Sequence, residues 1–201
     1  MDRIVVPVTG YKLDLYPATA ASGGRRGGAS AGDVSLRSLE LGLALPSFWA
    51  PDEITDAFAE ANRIWIREAE IEFSPVTVTP RSEVVPAGSS DMWAHFINHL
   101  SPKGRGVGVG FVYDLPEQEG GWGGGRVAVV AGVKVWSGIA GFAGNTLAHE
   151  LGHVLINDPN HNSADGDASN LMYDRRNPRV ANAGLLNPRQ VTEARKRALL
   201  L

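Results

Sequence analysis

Apolar residues alternate with polar ones over residues 3–16, which predicts a strand interrupted at Thr9-Gly10. Leu39, Leu41, Leu43 and Leu45 repeat the same period within 34–45 and predict a second strand with one buried face. The period then changes. Ile54, Ala57, Phe58, Ala61, Ile64 and Trp65 fall on one helical stripe, opened by Pro51-Asp52-Glu53 and running to about Glu70. Ile71, Phe73, Val76 and Val78 predict a strand in which Pro75 marks an edge or a bulge.

Further elements follow in the second half. A short helix is expected over 89–100, a strand over 107–113, a Gly-rich loop with Trp122 over 117–125, and a strand or hairpin over 126–135. Residues 137–144 are expected to be a flexible entry to a helix that Asn145 or Thr146 can cap. A polar stretch, 157–170, leads to Leu171-Met172-Tyr173. Asn187 caps and Pro188 starts a last helix reaching about Leu200. Residues 18–33 are small, Gly-rich and basic at Arg25-Arg26, and are expected to be a surface loop.

The 201 residues suit a single domain. A net charge of −3 provides no positive field for nucleic acid, and Arg25-Arg26 is too short a run to change that. No apolar run is long enough for membrane insertion. The first residues lack a signal-peptide pattern, and the absence of cysteine excludes disulfides and thiolate ligands. Oligomeric state is not readable from these features.

The chemistry sits in His149-Glu150-Leu151-Gly152-His153. Histidines four apart on a helix project from one face, at a separation where two imidazoles can share one zinc ion. Glu150 can reach a water on the same metal, which places two ligands and a base within five residues. Leu147, Leu151, Val154 and Leu155 supply the opposite, packing surface. A catalytic zinc takes three protein ligands. Asn157 is a candidate left-handed terminator and Asp158-Pro159 cannot easily continue the helix, so a sharp turn would bring His161 back as third ligand. Asp158 is its rival, with Asp165 and Asp167 behind it.

With these residues the chain resembles the metzincin clan of zinc metallopeptidases, whose pattern is HExxHxxGxxH or D followed by a methionine-containing turn. His149, Glu150 and His153 match directly. Ile156 stands at the family glycine and Pro159 at the third-ligand position, so His161 fits through a connection two residues longer, with Asn157 replacing the glycine turn. Ser169-Asn170-Leu171-Met172-Tyr173 is similar to the methionine turn, and 185–201 to the C-terminal helix of matrixin-like members.

The resemblance implies an α+β fold of two lobes, approximately 1–155 and 156–201. The first would hold a twisted mixed β-sheet, two packing helices and the HExxH helix. The second would hold the methionine turn and the C-terminal helix. It also implies a Zn2+ cofactor, a peptide or protein substrate, a packing role for Met172 and a specificity-pocket contact for Tyr173, for which plain packing is the alternative. An edge strand within 123–130, including Gly125, Arg126 and Val127, would pair with extended substrate. Family members lean towards secretion. The implied mechanism has Glu150 take a proton from a metal-activated water and deliver it to the leaving nitrogen.

Two other functions are compatible with the motif: a zinc-bound binding module or toxin-like effector without turnover, and an amidase acting on the peptide of a non-protein polymer. His95 and His99 also lie four apart, but Phe96 occupies the place of a catalytic acid, and with Trp93, Ile97 and Leu100 it indicates a packed amphipathic helix. Partly exposed histidines are the expectation there, with a second metal site as the alternative. The acidic residues over 158–167 suggest a Ca2+ loop as a second reading, against which Ser163 and Ser169 stand where an EF-hand needs glycine and glutamate.

Overall fold

The computed structural model describes residues 2–17, 44–86, 89–116, 120–132, 142–158, 168–173 and 184–201. The expected loop over 18–33, most of the expected strand over 34–45, and His161, Asp165 and Asp167 lie outside the described residues.

Five strands build one mixed sheet: β1 (Ile4–Pro17), β2 (Ile71–Val85), β3 (Val107–Val112), β4 (Gly121–Gly124) and β5 (Val127–Ala131). Their order is β2-β1-β3-β5-β4. β1, β2, β3 and β5 run parallel, and β4 pairs with β5 in the antiparallel sense. Among the described residues four helices accompany them: α1 (Pro51–Ala69), α2 (Ser89–Leu100), α3 (Phe142–Ile156) and α4 (Pro188–Ala198). The α+β class and the mixed sheet follow directly from this order.

The two faces of the sheet are covered differently. One carries α1, α3 and α4, whose Ile54, Phe58, Ile64, Trp65, Leu151 and Leu155 pack with Val6, Phe73, Val109 and Phe111. The other carries α2, whose Met92, Phe96 and Leu100 pack with Leu13, Leu15, Val127 and Val129. Each fully buried large apolar side chain contributes about 1.5–3 kcal/mol.

The helix α1 forms as its stripe requires. Pro51 opens it, Glu53 accepts from the Ala50 amide at 2.8 Å, and Glu70 ends it in the left-handed conformation with φ 54°. Its Trp65 donates from Nε1 to the Ala148 carbonyl at 3.0 Å, which joins α1 to α3 in the core. α4 begins at the expected cap: the Asn187 side chain accepts from the Gln190 amide at 2.9 Å. From there α4 packs against α1, α3 and β1. Arg195 donates to the Ala69 carbonyl at 2.5 Å and the Asp2 carbonyl at 3.0 Å.

Three expectations are corrected. β1 is not broken at Thr9-Gly10: both residues pair with β2 on one side and β3 on the other. The irregularity lies between Val6 and Val8, opposite the Ser74-Pro75 insertion on β2, where proline removes a ladder donor. Asn145 and Thr146 do not cap the HELGH helix, because α3 starts a turn earlier at Phe142 and Asn145 is buried within it. The Gly-rich segment around Trp122 is strand β4 rather than loop, since pairing with β5 supplies the order that its side chains do not. No helix among the described residues is long and apolar enough to cross a membrane.

Candidate metal centre

His149 and His153 lie one turn apart on α3, which is clamped between the sheet and α1. Their Nε2 atoms converge to 3.2 Å. Each ring is oriented from behind by a backbone carbonyl: His149 Nδ1 lies 2.6 Å from the Leu171 oxygen, and His153 Nδ1 lies 2.7 Å from the Asp158 oxygen. A carbonyl only accepts, so both Nδ1 atoms carry the proton and both Nε2 atoms of the neutral rings present lone pairs. Two lone pairs repel at this distance, and a metal ion or a shared proton between them relieves that repulsion. A tetrahedral ion at about 2.0–2.1 Å from each nitrogen requires an N···N separation of roughly 3.3 Å. The geometry therefore fits a tetrahedral ion, and the two carbonyls supply the outer hydrogen bonds that metal-bound imidazoles use.

Glu150 is 6% exposed and projects towards β4. A Cβ on Gly121 would lie 2.6 Å from its Cγ and 2.8 Å from its Oε1, so the bare glycine makes the space that the carboxylate occupies. Gly123 does the same for the helix backbone, where a Cβ would meet the Glu150 carbonyl and the His153 Cβ. The β4 glycines thus bring α3 against the edge of the sheet. The outer side of β4 has no strand partner among the described residues.

The turn after α3 forms at Asn157, with φ 54°, and the next carbonyl is the one that meets His153. The Asn157 turn thus brings the Asp158 carbonyl back against the His153 ring. Met172 lies beneath α3: a Cβ on Gly152 would fall 2.3 Å from its Sδ, so the sulfur rests on the helix backbone between the two histidine turns. Met172 is 3% exposed and packs in the same core as Leu151 and Leu155. Tyr173 follows, half-buried, with its amide donating to the Asn170 carbonyl at 3.1 Å.

Two positioning residues escaped the sequence reading. Asn170 Oδ1 accepts from the Met172 amide at 2.9 Å, and its Nδ2 donates to Gln190 Oε1 at 2.9 Å. Gln190 also accepts from the Asn187 amide, so the cap of α4 and the turn carrying Leu171 and Met172 form one unit. The reciprocal cap Asn187-x-x-Gln190 was the available signal; its long-range partner was not.

The expected substrate edge is displaced. Gly125 and Arg126 make the β4–β5 turn, and the Arg126 Nε donates to the Gly106 carbonyl at 3.1 Å, at the end where the parallel strands begin. Val127 is fully buried on the interior strand β5. The edge facing out is 121–124.

A second group, Glu83, His95 and His99, could also hold a metal ion: one ligand atom from each lies within 4.8 Å of the others. No family model matches the chain, and no curated protein matches it.

Proposed function

We propose that the protein is a zinc-dependent endopeptidase of metzincin type, with His149, His153 and His161 as ligands and Glu150 as general base. The observation that carries this reading is the 3.2 Å convergence of two Nε2 lone pairs whose rings are fixed from behind by the Leu171 and Asp158 carbonyls. The left-handed Asn157 supports the longer connection to His161, since it supplies the turn that the family glycine would make.

When bound, the zinc ion supplies Lewis-acid activation of a water molecule and of the substrate carbonyl. The residues of the chain do the rest. Glu150, in its pocket under Gly121, takes the proton of the attacking water and returns it to the leaving nitrogen. Met172 and Leu171 hold the histidine turns in place from below. An extended peptide adds to the outer edge of β4, antiparallel or parallel, through main-chain hydrogen bonds, and Tyr173 lines its path.

The test is cleavage of an unfolded protein by zinc-loaded wild type and Glu150→Gln, with and without a chelator. The expected outcome is cleavage by wild type, abolished by chelation and restored by zinc, and a fall of at least roughly 100-fold in Glu150→Gln with zinc retained. Cleavage at the wild-type rate by Glu150→Gln would refute the assignment of the base.

A further inference from the structure

Glu83 is a buried carboxylate on an edge strand, with its side chain 6% exposed beneath α2. It lies on the α2 face of the sheet, opposite Leu15 in the register, while the HELGH helix covers the other face beside β4. Four strand spacings, about 19 Å, separate β2 from β4 at the opposite edge of the sheet.

The carboxylate is divided between two sets of partners. Oε1 lies against Arg81 Nε. Arg81 is itself held by its contact with the His99 carbonyl at 3.2 Å and by the Tyr11 ring at 5.4 Å. Oε2 faces the imidazoles, 2.9 Å from His95 Nε2 and 3.7 Å from His99 Nδ1. Without an ion, His95 Nε2 donates to Oε2; binding a metal releases that proton and leaves the nitrogen to ligate.

We infer that Glu83 Oε2, His95 Nε2 and His99 Nδ1 form a second divalent-metal site that staples α2 to β2. Separations of 2.9 and 3.7 Å bracket the roughly 3.3 Å edge of a tetrahedron around an ion of the zinc class. The two rings are stacked, with centroids 3.9 Å apart and planes at 15°, so closure onto one ion requires His99 to turn out of the stack. Its side chain is 47% exposed and has room to do so. Two nitrogens and one carboxylate select zinc, cobalt, nickel or copper over calcium or magnesium. Because the Arg81 contact uses Oε1, ligation through Oε2 leaves that positioning contact intact.

The experiment is a cobalt(II) titration of the metal-free full chain, read by visible absorption and by the number of equivalents bound. Wild type, His99→Ala, Glu83→Gln and His153→Ala are compared, with circular dichroism as the check on folding. His99→Ala alters a half-exposed ring and Glu83→Gln is isosteric. The expected result is one equivalent fewer in His99→Ala than in wild type, and at least a tenfold weakening of that equivalent in Glu83→Gln. The same number of equivalents and the same spectrum in His99→Ala as in wild type would overturn the site and leave a plain Glu–His contact. Loss of an equivalent in His99→Ala but none in His153→Ala would uphold this site and count against the HELGH centre, so the two readings fail separately.

Discussion

The side-chain amides of Asn170 and Gln190 exchange two hydrogen bonds, at 2.9 and 3.2 Å, in a buried pair that joins the Leu171-Met172 turn to the first turn of α4. The same Asn170 oxygen accepts from the Met172 amide, and the neighbouring Leu171 carbonyl meets His149 Nδ1. A helix cap is thereby connected to the orientation of a candidate metal ligand through three consecutive residues.

Asn170→Ala is expected to leave the Gln190 amide unsatisfied and to destabilise the fold by about 1–3 kcal/mol. The loosened Leu171 carbonyl would weaken metal binding by roughly 10–100-fold. Urea unfolding of the metal-free protein and a metal titration measure the two effects. Gln190→Ala should reproduce both, whereas a purely local role for Asn170 would show in stability alone.

Gly121→Ala would place a methyl group 2.6 Å from the Glu150 Cγ and 2.8 Å from the Val129 carbonyl. Relief requires either a shift of β4 or displacement of the carboxylate, at about 1–3 kcal/mol. Neither His149 nor His153 is among the atoms that methyl group would meet. The expectation is a large loss of cleavage with metal content unchanged, measured by rate and elemental analysis on one preparation.

Met172 should behave as a packing residue. Met172→Leu conserves volume and is expected to cost less than about 1.5 kcal/mol, while Met172→Ala opens a cavity beneath Gly152 and costs about 2–5 kcal/mol. Thermal unfolding of the two variants distinguishes this from a ligand role, in which both would lose metal equally.

Much of the fold was legible because its signals are local. The stripe from Ile54 to Trp65, the 89–100 helix, the Asn187-Pro188 start and the left-handed Asn157 each depend on residues within a turn or two. What was not legible depends on partners distant in the chain. Gly10 stays within β1 because strands pair on both sides of it. The glycines of β4 lack apolar content, and their role is to admit Glu150 and His153 from another element.

The Glu83 cluster was hidden in the same way. The clear hydrophobic alternation of β2 ends at Val78, yet the strand continues to Val85 past Pro80, which an edge strand tolerates. That extension carries Glu83 beneath His95 and His99. The return of α4 onto α1, α3 and β1, with Arg195 reaching Asp2, is another contact between distant parts of the chain that no local pattern encodes.

The most direct measurement is a zinc-edge anomalous difference map from crystals of the zinc-loaded protein. The account predicts a peak at about 2.0–2.1 Å from both His149 Nε2 and His153 Nε2, with His161 completing the protein ligands and Asp158 turned away. A peak with Asp158 in that position would replace the third ligand and keep the centre. No peak between the two imidazoles, with their nitrogens sharing a proton or bridged by water instead, would contradict the metal centre on which the proposed peptidase chemistry depends.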